Sequence, residues 1–317
     1  MKKRIIVLCG LLATFSLLSC GNDTTDDYVL STATPVGAPA LAQFELAYNH
    51  TEDSNYSVTT LSGASYIKAA LISGSYDLIY APINLGAQVY NSNQSYTLLC
   101  GITFGNLYLG SKGEINSLSD LNGKDLVLFG KGTINDLITN YILDSNNIET
   151  NSITYVADAA TAKTSFVSDS DNKVYLLADP TKSASQIALK GNNISTYFID
   201  IEEEYKNLTT YDGFAQAGLF VKKTTYQNHQ DLVLDYLDKL EGSIESLNNL
   251  DNVSENNEKI TELGYFSLPD AVLKSAIPGC NIRYETASSI KDMVEATYSL
   301  NLSLMGGSLP DEGFYQI

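Results

Sequence analysis

The sequence predicts an α/β protein in two lobes joined by two crossing hinge segments, and three observations carry that expectation. Short β-rich runs alternate with helical stretches twice, first over 28–81 and again over 118–201, the pattern of parallel strands with helices on their faces. Between these units, 96–109 holds two apolar runs split by Gly101 and Gly105, consistent with a strand that leaves one sheet and enters another. A later β-rich run, Gln216-Ala-Gly-Leu-Phe-Val-Lys, stands where the chain would return to the first unit.

Each element follows from its local pattern. In the first unit, 28–33 reads as a strand. A helix is expected over 39–49, with Pro39 in its first turn and Leu41, Phe44, Leu46 and Ala47 as its apolar positions. The β-branched content of 56–61 predicts a strand, followed by a helix over 64–73 and a strand over 77–81. In the second unit, strands are expected over 125–129, 153–156, 174–178 and 197–201, with helices over 134–144, 159–167 and 181–190. A long helix follows over 227–247, and the remainder is mainly helical, broken at Gly264, Pro269 and Pro278. The expected division is a first lobe from 28–108, a second from 109–213, and a return to the first over 214–317. Such a clamshell couples ligand binding in the cleft to hinge closure.

The N-terminus sets the compartment. Lys2, Lys3 and Arg4 precede an apolar run over 5–18 that is too short to span a bilayer, so 1–19 reads as a signal peptide. The run closes on Leu17-Leu18-Ser19-Cys20-Gly21, which resembles the lipobox of bacterial lipoproteins. Cleavage before Cys20 and acylation of its thiol are therefore expected. The polar, acidic stretch 20–27 has no apolar periodicity and reads as a lipidated tether. No later segment has the uninterrupted apolar length of a membrane span, so lipid is the expected anchor, on the extracellular or periplasmic side of the cell membrane.

Composition narrows the partners. Lys and Arg number 19 against 37 Asp and Glu, a net charge of −18, which disfavours nucleic acid and anionic lipid over any broad surface. Outside 1–20, the cysteines are Cys100 and Cys280, both among apolar residues, readable as buried thiols or as a single bridge. No CxxC, HExxH or His/Cys cluster suggests a metal, no cofactor motif is present, and the imidazoles are only His50 and His229.

Several stretches taken in order resemble the solute-binding lipoproteins of ABC importers, with the type II periplasmic-binding-protein fold, and within them the group that includes nitrate, sulfonate and thiamine-precursor binders. They are Thr34-Pro-Val-Gly-Ala-Pro-Ala-Leu-Ala, Asp77-Leu-Ile-Tyr-Ala-Pro-Ile-Asn, Gly130-Lys-Gly-Thr, Ala178-Asp-Pro-Thr, Gln216-Ala-Gly-Leu-Phe-Val and Gly306-Gly-Ser-Leu-Pro-Asp-Glu-Gly-Phe-Tyr. The resemblance implies a monomeric, non-catalytic receptor that captures a small-molecule solute and delivers it to an ABC permease in the membrane. The chain departs from well-known members in its cations: after the signal segment Arg283 is the only Arg, so an Arg fork for a carboxylate is poorly supplied.

In open parallel sheets, ligands bind beyond the carboxyl ends of strands, at turns leading into helices. That rule selects four turns. Thr34, Gly37 and Ala38 open the first helix, with Gly37 allowing close backbone approach. Pro82 and Asn84 follow the third strand, where Asn84 either contacts ligand or caps a helix. Gly130, Gly132 and Thr133 open a helix of the second lobe, Thr133 as cap or ligand contact, with Lys131 offering a charge; the spacing is not that of a P-loop. Asp179 before Pro180 reads as a helix cap or as the partner of a cationic solute. Thr103 and Asn106, with Phe104, lie on the presumed crossover. With 21 Tyr and no Trp, stacking on Tyr48, Tyr80 or Tyr108 is a further option, and the composition leans toward a neutral or cationic aromatic solute. Two other function classes stay open: an enzyme of the same fold related to thiamine-pyrimidine metabolism, which would need a reactive imidazole near these turns, and a ligand-free surface-interaction lipoprotein with a filled cleft.

Overall fold

The computed structural model describes residues 28–61 and 64–315. The expected signal segment, Cys20 and the tether lie outside the described residues. Among the described residues, no helix is long and apolar enough to cross a membrane.

The chain opens with β1 (Leu30–Pro35), α1 (Ala38–Ala42), α2 (Phe44–Tyr48), β2 (Tyr56–Leu61), α3 (Ala64–Ser73), β3 (Leu78–Pro82), α4 (Ile83–Asn93) and β4 (Tyr96–Phe104). It continues through β5 (Leu107–Ser111), β6 (Asp125–Phe129), α5 (Ile134–Ser145), β7 (Ser152–Val156), α6 (Ala159–Ser168), β8 (Val174–Ala178), α7 (Thr181–Gly191), β9 (Tyr197–Asp200) and α8 (Ile201–Leu208). The last part holds β10 (Ala215–Lys222), α9 (Lys223–Asn228), α10 (Gln230–Asn248), α11 (Val253–Glu262), α12 (Asp270–Cys280), β11 (Ile282–Thr286) and α13 (Ala287–Ser299), then 3-10 turns at Leu302–Met305 and Glu312–Phe314.

Two mixed sheets result. The first has the order β11-β4-β10-β3-β1-β2, with β1 parallel to β2 and β3, and β10 antiparallel to both β3 and β4. The second has the order β7-β6-β8-β5-β9, with β6 parallel to β7 and β8, and β5 antiparallel to β8 and β9. The chain passes from the first sheet to the second between Phe104 and Leu107 and returns between Asp200 and Ala215. The expected parallel units are present, and the run over 96–109 divides between the sheets as its glycines predict.

The first sheet is covered on both faces, which explains why every residue of β4 is buried and why its sequence lacks alternation. One face packs on α1, α2 and α10 to α12 through Leu41, Phe44, Tyr236 and Leu273. The other belongs to an apolar core that runs without a break into the second sheet, through Phe104, Leu107, Phe214 and Tyr205. Tyr205 of α8 hydrogen-bonds Thr297 of α13 across 2.9 Å and meets Phe214 edge-on at 5.3 Å.

Four expectations need correction. The single helix over 39–49 is two, broken at Gln43, whose buried amide bonds the hydroxyls of Tyr265 and Tyr236 at 3.2 Å each. The long helix over 227–247 is also two, parted at His229, whose ring stacks on Tyr28 at 3.7 Å. Pro278 lies inside α12 near its end and does not break it. The tail is mainly helical as expected, with β11 added as an edge strand beside β4. The strand expected over 197–201 stops at Asp200, which caps α8 by accepting from the Glu202 and Glu203 backbone N–H groups. The two cysteines are separately buried free thiols, both pushed up in pKa by desolvation.

Candidate functional site

Strand register brings the four selected turns to facing edges. β1, β3 and β4 end at Pro35, Pro82 and Phe104, while β10 starts at Ala215 opposite Phe104 and places Ala217 opposite both Pro82 and Thr103. The turns after β1 and β3, the start of β10 and the crossover after β4 therefore share one edge of the first sheet. In the second sheet, β6 and β8 end at Phe129 and Ala178, and β5 begins at Leu107 opposite Ala178. Gly105 and Asn106 join the two edges.

A line of amides ties them together. Asn106 N–H donates to Gln216 Oε1 at 3.2 Å, and Gln216 Nε2 donates onward to Asn135 Oδ1 at 3.3 Å in the first turn of α5. Asn106 also exchanges backbone contacts with Asp179: its carbonyl accepts from Asp179 N–H at 3.3 Å, and its Nδ2 donates to Asp179 O at 3.3 Å. Gln216 is the one residue of β10 between its termini that is not buried, a half-buried amide in an otherwise apolar strand.

On the first-sheet side, Thr34 is fully buried, its hydroxyl 3.3 Å from Pro35 O. Gly37 has φ 128°, a region closed to most L side chains, and its carbonyl starts α1 by accepting from Ala40 and Leu41, with Ala38 buried behind it. Pro82 rather than Asn84 holds the cap position of α4. Asn84 sits in the first turn at 4 % exposure and Thr103 on β4 at 3 %, and neither side chain makes a hydrogen bond among the described residues.

On the second-sheet side, the chain supplies its own anions. Thr133 caps α5, its Oγ1 accepting from Asn135 N–H at 3.3 Å and donating to Gly130 O at 2.6 Å. The Gly132 N–H is taken at 2.8 Å by Asp136 Oδ2, and Asp136 Oδ1 accepts from Asn140 at 2.7 Å and from the Tyr155 hydroxyl at 2.6 Å. At α7, Pro180 holds the cap position, and Asp179 Oδ1 accepts from Ser183 N–H at 2.9 Å while Oδ2 lies 2.8 Å from Lys182 Nζ. The Asp179 side chain is wholly covered.

A crevice of about 300 Å³ opens where α5 faces the 3-10 turn Leu302–Met305, lined by Gly132, Thr133, Asp136, Asn140, Leu300 and Leu304 among others. It is the size of a small solute.

No protein-family model matches this sequence, and no curated protein sequence matches it. Solved structures do. An ABC transporter structure from Parabacteroides distasonis has a TM-score of 0.75 at 23% identity, covering 91% of this chain and 99% of that one. The periplasmic aliphatic sulphonate binding protein of Escherichia coli gives 0.63 at 14% identity over 90% of each chain. The alkanesulfonate-binding protein of Xanthomonas axonopodis pv. citri, bound to MOPS, gives 0.60 at 14% over 90% of this chain and 96% of its own. This chain has the type II periplasmic-binding-protein fold.

In that periplasmic-binding-protein fold, the two crossing segments meet around Glu202. A Cβ on Gly105 would stand 2.7 Å from the Glu202 side chain, and one on Gly213 would overlap its Oε1, so both segments reach this carboxylate through glycine, each at positive φ. Asn281 Nδ2 donates to Glu202 Oε2, and Lys206 and Arg283 stand at 3.9 Å. Burial raises the Glu202 pKa to about 7, more than the two cations lower it. Arg283 itself is held by Glu285 at 2.5 Å and Asn281 at 2.6 Å and lies over the Phe104 ring at 3.6 Å.

α12 closes on the second sheet at Asp179. A Cβ on Gly279 would overlap Asp179 Oδ2 and reach within 2.9 Å of the Tyr108 hydroxyl, which donates to Gly279 O at 3.3 Å. Tyr108 also lies under Lys182 Nζ at 4.2 Å, so its face is taken by the chain's own cation. Tyr80 is enclosed in the core against Tyr236, and Tyr48 is on the surface beside Lys259. Lys131 is exposed, 5.0 Å above the Tyr155 ring.

Both imidazoles are remote from these turns. His50 precedes β2 and meets Tyr56 edge-on, and His229 stacks on Tyr28, placing both at the amino ends of β1 and β2. Asp77 also lies at the amino end of its strand, where it ties Tyr28, Ser31 and Thr225 together. Sequence reasoning did not select Gln216, Asn135, Glu202 or Lys182. The isolated polar residue in the apolar run after Ala215 was the available signal for Gln216; the others declare themselves only through partners distant in sequence.

Proposed function

We propose that this chain is the solute-binding component of an ABC importer, a non-catalytic monomer that takes a small solute between the facing sheet edges and presents it to a membrane permease. The carrying observation is the line Asn106–Gln216–Asn135, in which one amide on a crossing strand joins the other crossing segment to the second sheet's α5. A solute that inserts polar groups into this line contacts both sheets at once and favours the closed arrangement by its differential affinity for it. Thr34, Gly37, Ala38, Pro82, Asn84 and Thr103 form one wall in this reading; Asn106, Gly130, Gly132, Thr133 and Asp179 form the other. The lobes are 28–108 with 214–317 and 109–213. The solved structures with this fold, an ABC transporter structure and two sulfonate-binding proteins, support the assignment.

Cys20, lipidated after removal of 1–19, would hold the protein by the tether 20–27 at the outer side of the membrane, close to its permease. Two measurements test the whole. Small-angle scattering of the protein with and without a bound solute should show a smaller radius of gyration on binding; a solute that binds with no change refutes closure. Labelled palmitate should enter the wild-type protein in cells, and Cys20→Ala should abolish labelling and release the protein from membranes; an unchanged membrane fraction refutes the anchor.

A further inference from the structure

The solute's charge class is written into the cleft walls, and this inference rests on the solute-binding reading above. Helix N-termini are the parts of this fold suited to anions, because unpaired N–H groups and the helix dipole converge there. Both second-sheet helices that open at the facing edge already carry a carboxylate of their own. Asp136 Oδ2 takes the Gly132 N–H before α5, and Asp179 Oδ1 takes the Ser183 N–H in the first turn of α7. An anionic solute at the α5 turn would meet a like charge in place of a free donor, and at α7 the first-turn donor is already taken.

Two cations that would reverse this are occupied. Lys182 is 2.8 Å from Asp179, and Arg283 is bound by Glu285 and Asn281. Lys131 is exposed at the rim, above a ring whose hydroxyl is bonded to Asp136.

The polar groups that remain are neutral and both donate and accept. Gln216 makes two bonds at 3.2 and 3.3 Å, each long enough to be exchanged for a solute's, while Asn84, at 4 % exposure, and Thr103, at 3 %, have no hydrogen-bond partner among the described residues. Neither side chain's polar atoms are fully enclosed, so they remain open to a solute's donors and acceptors. We infer that the cleft takes an uncharged solute of amide or ureide type, whose adjacent donors and acceptors are read by Asn84, Gln216 and Asn135, and that Asp136 excludes sulfonates and other anions.

Calorimetric titration of the purified full chain tests this with nicotinamide, hydantoin and allantoin as uncharged probes and with butanesulfonate and nitrate as anions. At least one uncharged probe should bind at least 100-fold more tightly than either anion, with Gln216→Leu weakening it at least tenfold. In Asp136→Asn, butanesulfonate affinity should rise at least tenfold, a gain that a misfolded variant cannot produce. Tight butanesulfonate or nitrate binding by the wild-type chain overturns the charge assignment and leaves the solute-binding reading standing. Unchanged butanesulfonate affinity in Asp136→Asn also overturns the charge assignment. If no probe binds the wild-type chain or the variant, both the charge assignment and the solute-binding reading fall.

Discussion

Glu202 is a carboxylate placed where two glycines and two cations converge, and its surroundings favour the proton. Burial raises its pKa to about 7, so the folded state binds a proton that the unfolded chain releases near 4.5. The associated stability is fully present below 4.5 and is lost as pH rises through about 7. Glu202→Gln should therefore match the wild type in urea denaturation at pH 4.5 and exceed it at pH 8 by up to about 3 kcal/mol; equal stabilities at pH 8 refute the assignment. Asp77 shows the opposite sign. Its burial raises the pKa, but hydrogen bonds from Ser31, Thr225 and Tyr28 outweigh that and hold it below 3.8. Its contribution is present above the ordinary carboxylate range and lost as pH falls through the lowered value. Asp77→Asn should cost about 2 kcal/mol at pH 7, with the gap closing in acid, as urea melts at pH 7 and pH 3 would show. Neither environment was legible locally, because Glu202 reads as one of three consecutive acids after an expected strand and Asp77 as the first residue of another.

At the scale of elements, most strands and helices are visible in the sequence, since each carries its own period. β2, α3, β6 and β8 run over the residues expected for them. α4 escaped notice because Gly86 and the Asn-Ser-Asn end weaken its helical pattern, and its glycine has a tertiary cause: a Cβ at Gly86 would overlap the Phe220 ring of β10. That ring is backed by Phe314 at 5.9 Å. Gly86→Ala gains about 1 kcal/mol of helix propensity but overpacks this contact, so a net loss of about 1–2 kcal/mol is expected in urea denaturation, relieved by a second change, Phe220→Leu. α8 is only eight residues long with a run of Glu, so its apolar stripe of Ile201, Tyr205 and Leu208 is short, and β11, with polar residues at a sheet edge, lacks the apolar run that marks its neighbours. The breaks at Gln43 and His229 depend on Tyr265, Tyr236 and Tyr28, all far away in sequence.

At the scale of the molecule, the two sheets are joined by a continuous core around α8 and by the seating of α12 on Asp179 and Tyr108. The second contact is close enough that Gly279→Ala should push α12 away from the second sheet, raising the radius of gyration in small-angle scattering and weakening solute binding about tenfold; an unchanged radius refutes this role for the contact. Sequence alone determined the alternation of strands and helices, the two passages between sheets and the turns at strand ends, because periodicity, β-branched runs and glycine conformations are local properties. It also nominated Asn84, Thr103, Asn106 and Thr133 as polar residues at those turns. Only the tertiary structure decided which of these groups are free and which are already bound. Asp179 and Gly132 look open to a ligand in sequence, yet Lys182, Ser183 and Asp136 occupy them, and Gln216 joins Asn106 to Asn135 across separations of 110 and 81 residues. Hydrogen bonds and burial depend on where distant segments meet, and that depends on packing the whole chain.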